Sequence, residues 1–292
     1  MSDKFFIKPP LLFLHLCGLF ICAMVGTSAH AGTHAPGVAL RPLSRTQFDT
    51  SRLVSLCQLQ TPACDASATK AYVRNKVDDG FVYLIDTSKP MLIRVKRQAK
   101  NEAGRSWNFA EHVPTLQTLE YMYQPDQDPW LSKPEIYPAL YQLDANRWAI
   151  ALTQSKRFMY SGGGGLNEAA DFLELLTNGD RPGPSEFKPV YLGVPFSSSN
   201  FTRSCFNKKD HADLIHHRRL SCHDEKSTYL KIGFADTPPL HGPWRFTWHS
   251  FYQSSVSTKE NVKRRMPLDI KVDEDLKTID RRLATYFVNS QR

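Results

Sequence analysis

The sequence predicts an α+β protein with a mainly antiparallel sheet, a few packed helices and disulfide staples. Three observations carry that expectation. Short β-rich runs between turn signals recur through the chain, apolar residues fall at helical spacing in several separate segments, and an even number of cysteines follows an amino-terminal export signal.

The export signal comes first. Lys4 and Lys8 supply positive charge, Leu11 to Gly26 an apolar stretch, and Ala29-His30-Ala31 a small-x-small cleavage motif ahead of Gly32. The apolar stretch falls short of the roughly 20 residues that a spanning helix needs. A retained anchor is the competing reading, while Leu16 before Cys17 and Ile21 before Cys22 are too large for a lipid-attachment box. Residues 1–31 are therefore expected as a signal peptide. Residues 32–292 are expected as a single extracytoplasmic domain, periplasmic or secreted, with 179–188 as its best internal boundary and no integral span after cleavage. Four cysteines then remain in an oxidising space, and they allow three pairings. The short loops favour Cys57 with Cys64 and Cys205 with Cys222.

Along the mature chain, residues 32–43 lack periodicity and read as a loose arm. Phe48, Leu53 and Leu56 give helical spacing over 44–59, and Ala66 to Val77 reads as a second helix stopped by Asp78-Asp79-Gly80. "GFVYLID" and "MLIRVKRQ" flank the turn Thr87-Ser88-Lys89-Pro90 as a hairpin. Residues 105–111 read as a strand and 116–123 as a short helix. "YPALYQLD", "RWAIALT" and "KRFMYS" make a meander that runs into four glycines, Gly162 to Gly165. After them Leu166, Ala169, Ala170, Leu173 and Leu176 recur at helix spacing, and Asn178-Gly179 reads as the stop. Strands are expected at "VYLGVPF", "NFTRSCF", "TYLKIGF" and "GPWRFTWHSFYQ". In the last, Trp244, Phe246 and Trp248 alternate with Arg245, Thr247 and His249, the period of a strand with one wet face. Asp273 to Phe287 reads as a final helix with acids at its start and Arg281 and Arg282 toward its end.

The glycine run between a strand and a helical pattern has the layout of a phosphate cradle. The residues argue against that use. Leu166-Asn167 stand where a nucleotide-binding loop needs Lys and Ser or Thr, and Glu168 and Asp171 would place like charge beside a phosphate. Ser161 is a weak nucleophile candidate, because Met159 occupies the first glycine position of the G-x-S-x-G elbow. Ser67-x-x-Lys70 matches an acylating motif whose other parts are absent from the sequence. A turn, or a surface for close backbone approach, suits the glycines better.

The densest polar cluster spans 205–225 and holds His211, His216, His217 and His223 with Asp210, Asp213, Asp224 and Glu225. His216, His217 and His223 are the catalytic candidates, as acid, base or ligand. The metalloprotease pattern H-E-x-x-H is missing, and the flanking cysteines are expected as a disulfide rather than as thiolates. No metal and no cofactor is expected. The formal charge is +8, which favours anionic partners. Lys208, Lys209, Arg218 and Arg219, with Arg245 and His249, are the candidate partner-binding residues. The expectation is a basic, exported, noncatalytic binding protein of the inhibitor, immunity or envelope-accessory kind that engages a protein partner, an anionic surface or polymer being the other partner considered. The alternative is a secreted hydrolase or toxin that acts on an anionic polymer or lipid through the His-rich loop 205–225.

Overall fold

The computed structural model describes residues 38–42, 49–60, 62–74, 79–97, 104–116, 130–144, 146–177, 183–216, 221–234, 244–256 and 262–270. Their strands are β1 (Val38–Pro42), β2 (Thr69–Arg74), β3 (Phe81–Asp86), β4 (Met91–Lys96), β5 (Arg105–Asn108), β6 (Glu135–Gln142), β7 (Trp148–Tyr160), β8 (Gly163–Leu175), β9 (Gly183–Ser185), β10 (Phe187–Arg203), β11 (His223–Phe234), β12 (Trp244–Gln253) and β13 (Val262–Ile270). Two helices accompany them, α1 (Thr50–Gln58) and α2 (Lys208–Ile215). The strands form one sheet in the order β13-β12-β11-β10-β8-β7-β6-β1-β2-β3-β4-β5-β9. Every neighbouring pair is antiparallel except β5 and β9.

A sheet this wide curls, and the curl gives the middle strands apolar neighbours on both faces. On β7, Ala149 and Ala151 join one buried cluster, together with Phe172 of β8, Tyr191 and Phe196 of β10, and Trp244, Phe246 and Trp248 of β12. Ile150 and Leu152, from the opposite face of β7, join Leu173 of β8 and Tyr83, Ile85, Leu92 and Trp107 of β3 to β5. A third cluster packs Leu56 of α1 on Val82, Leu84, Met91 and Ile93. The buried indoles are satisfied: Trp107 Nε1 donates to Leu176 O at 3.1 Å, Trp244 Nε1 to Gln142 O at 3.0 Å, and Trp248 Nε1 to Pro195 O at 2.9 Å. Two of these bonds tie distant strands of the sheet together, β5 to the end of β8 and β12 to β6.

The curl is built into β10. Its pairing with β8 slips between Pro189 and Tyr191, between Tyr191 and Val194, and between Pro195 and Ser197. Proline cannot donate to a ladder and collects at such irregularities. Gly193, at φ +61°, takes a conformation that a side chain resists. Asp171 of β8 holds this bend. Only 2% exposed, it accepts Gly193 N–H at 2.7 Å through Oδ1. Its Oδ2 accepts Thr115 N–H at 2.9 Å and lies 2.8 Å from His112 Nε2. One carboxylate thus joins β8, the bulge of β10 and the loop after β5.

The expectation of an α+β fold with a few packed helices is overturned. The described residues are mostly antiparallel β-sheet, a curled sheet accompanied by the two short helices α1 and α2. Only α1 packs on the core, since α2 buries none of its residues. The helix expected over 166–176 is strand β8: with apolar neighbours on both faces a strand reads as a near-continuous apolar run, which periodicity alone does not separate from a helix. Of the helix expected over 66–77, residues 66–68 form a turn and 69–74 are β2. There the Asp65 carboxylate accepts from Ser67 N–H at 2.8 Å, and the chain then pairs with β1 and β3. The loose arm expected over 32–43 supplies β1, and β9, β13 and α2 were not anticipated from the sequence. Most of the helix expected over 116–123, and all of that expected over 273–287, lies outside the described residues. The hairpin around Thr87–Pro90 and the pairing of "YPALYQLD" with "RWAIALT" are legible in the sequence, as are the strand at 244–253 and both cysteine pairs, whose Cα atoms stand 4.7 and 5.0 Å apart; of the strand expected over 105–111, residues 105–108 form β5.

Burial alone would push the Asp171 carboxyl up, but His112 and the N–H groups of Gly193 and Thr115 outweigh it and hold the pKa below 3.8. A carboxylate depressed in the fold stabilises above its unfolded pKa, and that stability goes as pH falls through the folded value. The denaturant midpoint of the wild type should accordingly drop below about pH 4. Asp171→Asn should lose about 1–3 kcal/mol at neutral pH and show a shallower acid decline. Parallel pH profiles for the two proteins would remove this role.

Candidate functional site

Burial fades along β7, from Ala149–Gln154 in the core to Met159, 64% exposed, and Tyr160, 49% exposed. At this end the four glycines lie in the β7–β8 turn and the start of β8, not in a phosphate loop. Gly163, Gly164 and Gly165 pair with Tyr160, Met159 and Phe158 on one side and with Thr202, Phe201 and Asn200 on the other. Side chains from those neighbours occupy the space that the glycines leave. A Cβ on Gly163 would collide with Phe201 O and stand 2.9 Å from the Tyr160 hydroxyl; one on Gly164 would stand 2.6 Å from Met159 Sδ; one on Gly165, 2.7 Å from the Phe158 ring. The Tyr160 hydroxyl reaches across Gly163 to Thr202 Oγ1 at 3.2 Å. Because directly paired residues share a face, Met159 and Phe201 lie on one side of this ribbon and Phe158 and Tyr160 on the other.

The disulfide-closed segment follows directly from β10. Arg203 N–H donates to Gly162 O at 2.6 Å, and Ser204 N–H to Cys222 O at 2.9 Å, which locks the Cys205–Cys222 pair against the glycine turn. Within the loop, α2 is eight residues long and is held by a capping box in which Asn207 and Asp210 bond reciprocally. A helix this short is marginal alone, and its first turn carries Lys208 and Lys209, which oppose the helix dipole. Phe206 is 69% exposed just before α2 and Ile215 is 73% exposed at its end. The Arg203 guanidinium lies 5.9 Å from the Phe206 ring. Exposed apolar side chains therefore occur both on the paired ends of the long strands, at Met159, Tyr160 and Phe201, and in the loop that continues β10, at Phe206 and Ile215, with Arg203, Lys208 and Lys209 exposed beside Phe206 in the chain.

The residues singled out from the sequence are distributed as follows. Lys208 and Lys209 stand exposed on α2, while His217, Arg218 and Arg219 lie outside the described residues. His211 and His216 are exposed on α2 and at its cap, and His223 is exposed at the start of β11, edge-on to Phe201 at 5.8 Å. Among the described residues no group of three or more His, Cys, Asp or Glu is placed to hold a metal. Ser161 is exposed in the turn, and no described histidine or carboxylate is hydrogen-bonded to it. Arg245 and His249 sit further back along β12, on its wet face as the alternation predicts. The exposed aromatics and methionine were not read as a surface. Their signal in the sequence was a glycine run flanked on the strand side by Phe158, Met159 and Tyr160, which marks gaps that neighbouring side chains fill. No helix among the described residues is long and apolar enough to cross a membrane.

In comparisons with protein families, with characterised proteins and with solved structures, nothing matches the chain.

The close approach at the glycines sets a graded expectation. Gly163→Ala and Gly165→Ala should each cost about 1–3 kcal/mol by chemical denaturation, since backbone oxygens of β10 stand where the methyl group would go. Gly162→Ala should stay within about 0.5 kcal/mol, because its Cβ would meet nothing nearer than the Tyr160 ring at 3.7 Å. Equal effects at the three positions would contradict this account of the glycine run.

Proposed function

We propose that the protein is an exported, noncatalytic binding protein, periplasmic or secreted, that engages a protein partner through the disulfide-closed end of β7, β8 and β10. The observation that carries the reading is that Met159, Tyr160, Phe201 and Phe206 are exposed at the end of β7, the end of β10 and the loop that follows, whereas Trp107, Tyr141, Tyr191, Trp244 and Phe246 fill the core. Aromatic residues, Met and Arg are the types enriched where proteins meet, and a few such anchors supply most of the affinity. Here they stand on a rigid platform, because the glycines bring three backbones close together and the disulfide holds the adjoining loop. Little ordering cost is then left for the moment of binding.

The export reading rests on the basic and apolar start of the chain and agrees with two cysteine pairs at bonding distance. The hydrolase reading draws less support. A catalytic site needs groups that converge in hydrogen-bond reach of one another, whereas His211, His216 and His223 are each exposed.

The experiment is capture from an extract of the native compartment with the mature chain as bait. One stoichiometric protein should be retained, and Met159→Ser combined with Phe206→Ser should weaken its binding at least thirtyfold, the scale of about 2 kcal/mol for an anchor pair. Val54→Ser, at an exposed apolar residue of α1, should leave it unchanged. Retention that the double variant does not alter, or no retained protein at any salt concentration, counts against the proposal. Export is tested separately by the amino terminus of the purified native protein, expected at Gly32.

A further inference from the structure

A second surface lies behind the aromatic face of β12. Trp244, Phe246 and Trp248 are buried with Leu230 and Ile232 of β11, so the residues that alternate with them face away from that cluster. The register sets these out in rows: Tyr229, His249 and Arg265; Lys231, Thr247 and Pro267; Ser227, Phe251 and Lys263. Lys231, Lys263 and Arg265 are exposed. Lys263 and Arg265 are two residues apart on one strand and thus about 7 Å apart along it. Among the described residues of these three strands, Glu225 is in register on this face toward the ribbon end, and Asp269 pairs with Arg245 at the other end.

His249 reports the field of these cations. Its pKa is lowered, first by burial and then by the charges of Arg265 and Lys231. The side chains between the cations are hydroxyls and engaged rings. Tyr229 and His249 stack on each other at 5.0 Å with planes 5° apart, and the Lys263 ammonium lies 5.8 Å from the Phe251 ring.

We infer that the outer face of β11, β12 and β13 binds a linear acidic polysaccharide, whose anionic groups are met by Lys231, Arg265 and Lys263 and whose hydroxyls lie over Thr247 and Ser227. Charge complementarity selects an anion. The aromatic pairing selects the class, because single-stranded nucleic acid is held by bases stacked on open rings and the rings here already face partners. An anionic bilayer would call for exposed apolar side chains beside the cations, and those of the described residues that are large and exposed lie at the ribbon end and elsewhere rather than in these rows. This inference does not depend on the protein partner proposed for the ribbon end.

Calorimetric titration of the mature chain tests it with polygalacturonate and dextran sulfate as carboxylate and sulfate probes, neutral dextran as the uncharged control and a single-stranded oligonucleotide as the competing polyanion. One or both acidic glycans should bind with an affinity that falls as salt rises, and neutral dextran should not bind. Lys231→Gln with Arg265→Gln should weaken the binding at least tenfold at an unchanged melting temperature. Lys208→Gln with Lys209→Gln, which removes the same charge from α2, should change it less than twofold, and Lys231→Arg should preserve it. Should the first double variant fail to fold, Lys263→Gln alone is expected to weaken binding at least threefold. No binding of either acidic glycan, equal losses in the two double variants, or tighter binding of the oligonucleotide would each overturn the assignment.

Discussion

A charged group nearly sealed from water fixes the bend of this curled sheet. Asp171 sits on β8, a strand with core on both faces, and an ionised carboxylate there is tolerated only when donors replace its hydration. Three donors serve it from two places that the chain must bring together: the Gly193 amide at a bulge of β10, and the Thr115 amide and the His112 imidazole from the loop after β5. Satisfying one side chain therefore sets the bend of the longest strand and the return of the first half of the sheet over β8. Trp107 reinforces the same seam through its bond to Leu176 O.

Both proposed surfaces are consequences of the curl. Curling covers the two faces of β6, β7 and β8 with aromatic and aliphatic side chains, yet β7, β8 and β10 run past the core. Their ends must be stabilised by something other than burial. Glycine backbones at close approach, cross-strand aromatics and a disulfide serve there, and they leave apolar groups facing solvent. On β12 the inward row fills the core, so the outward row is free to carry charge. A single alternation of side chains thus separates the packing role of Trp244, Phe246 and Trp248 from the recognition role assigned to their neighbours on β11 and β13.

Legibility in the sequence followed how local the cause was. The hairpin at Thr87–Pro90, the amphipathic period of β12 and the cysteine pairs with short loops depend on residues near one another, and they were read correctly. The Leu166–Leu176 segment has the spacing of a helix because apolar residues destined for two different clusters superimpose into one run. Asp171 looked like an acid in the first turn of that helix and is instead the buried link between β8 and β10. The basic loop 205–222 was recognised by composition, but its apolar companions Met159, Tyr160 and Phe201 come from other strands, and only pairing brings them alongside. Lys231 and Arg265 join one face for the same reason.

By itself the sequence determined the amphipathic period of β12, the turn at Thr87–Pro90, the net positive charge and the cysteine partners, since each is set by the chemistry of neighbouring residues. Tertiary structure alone decided that the sheet buries its middle strands on both sides, that side chains of paired strands fill the gaps at the glycines, and that His211, His216 and His223 are exposed. These outcomes depend on which strands lie side by side. Strand order follows from the free energy of closing and packing the whole sheet, a quantity that no single segment carries.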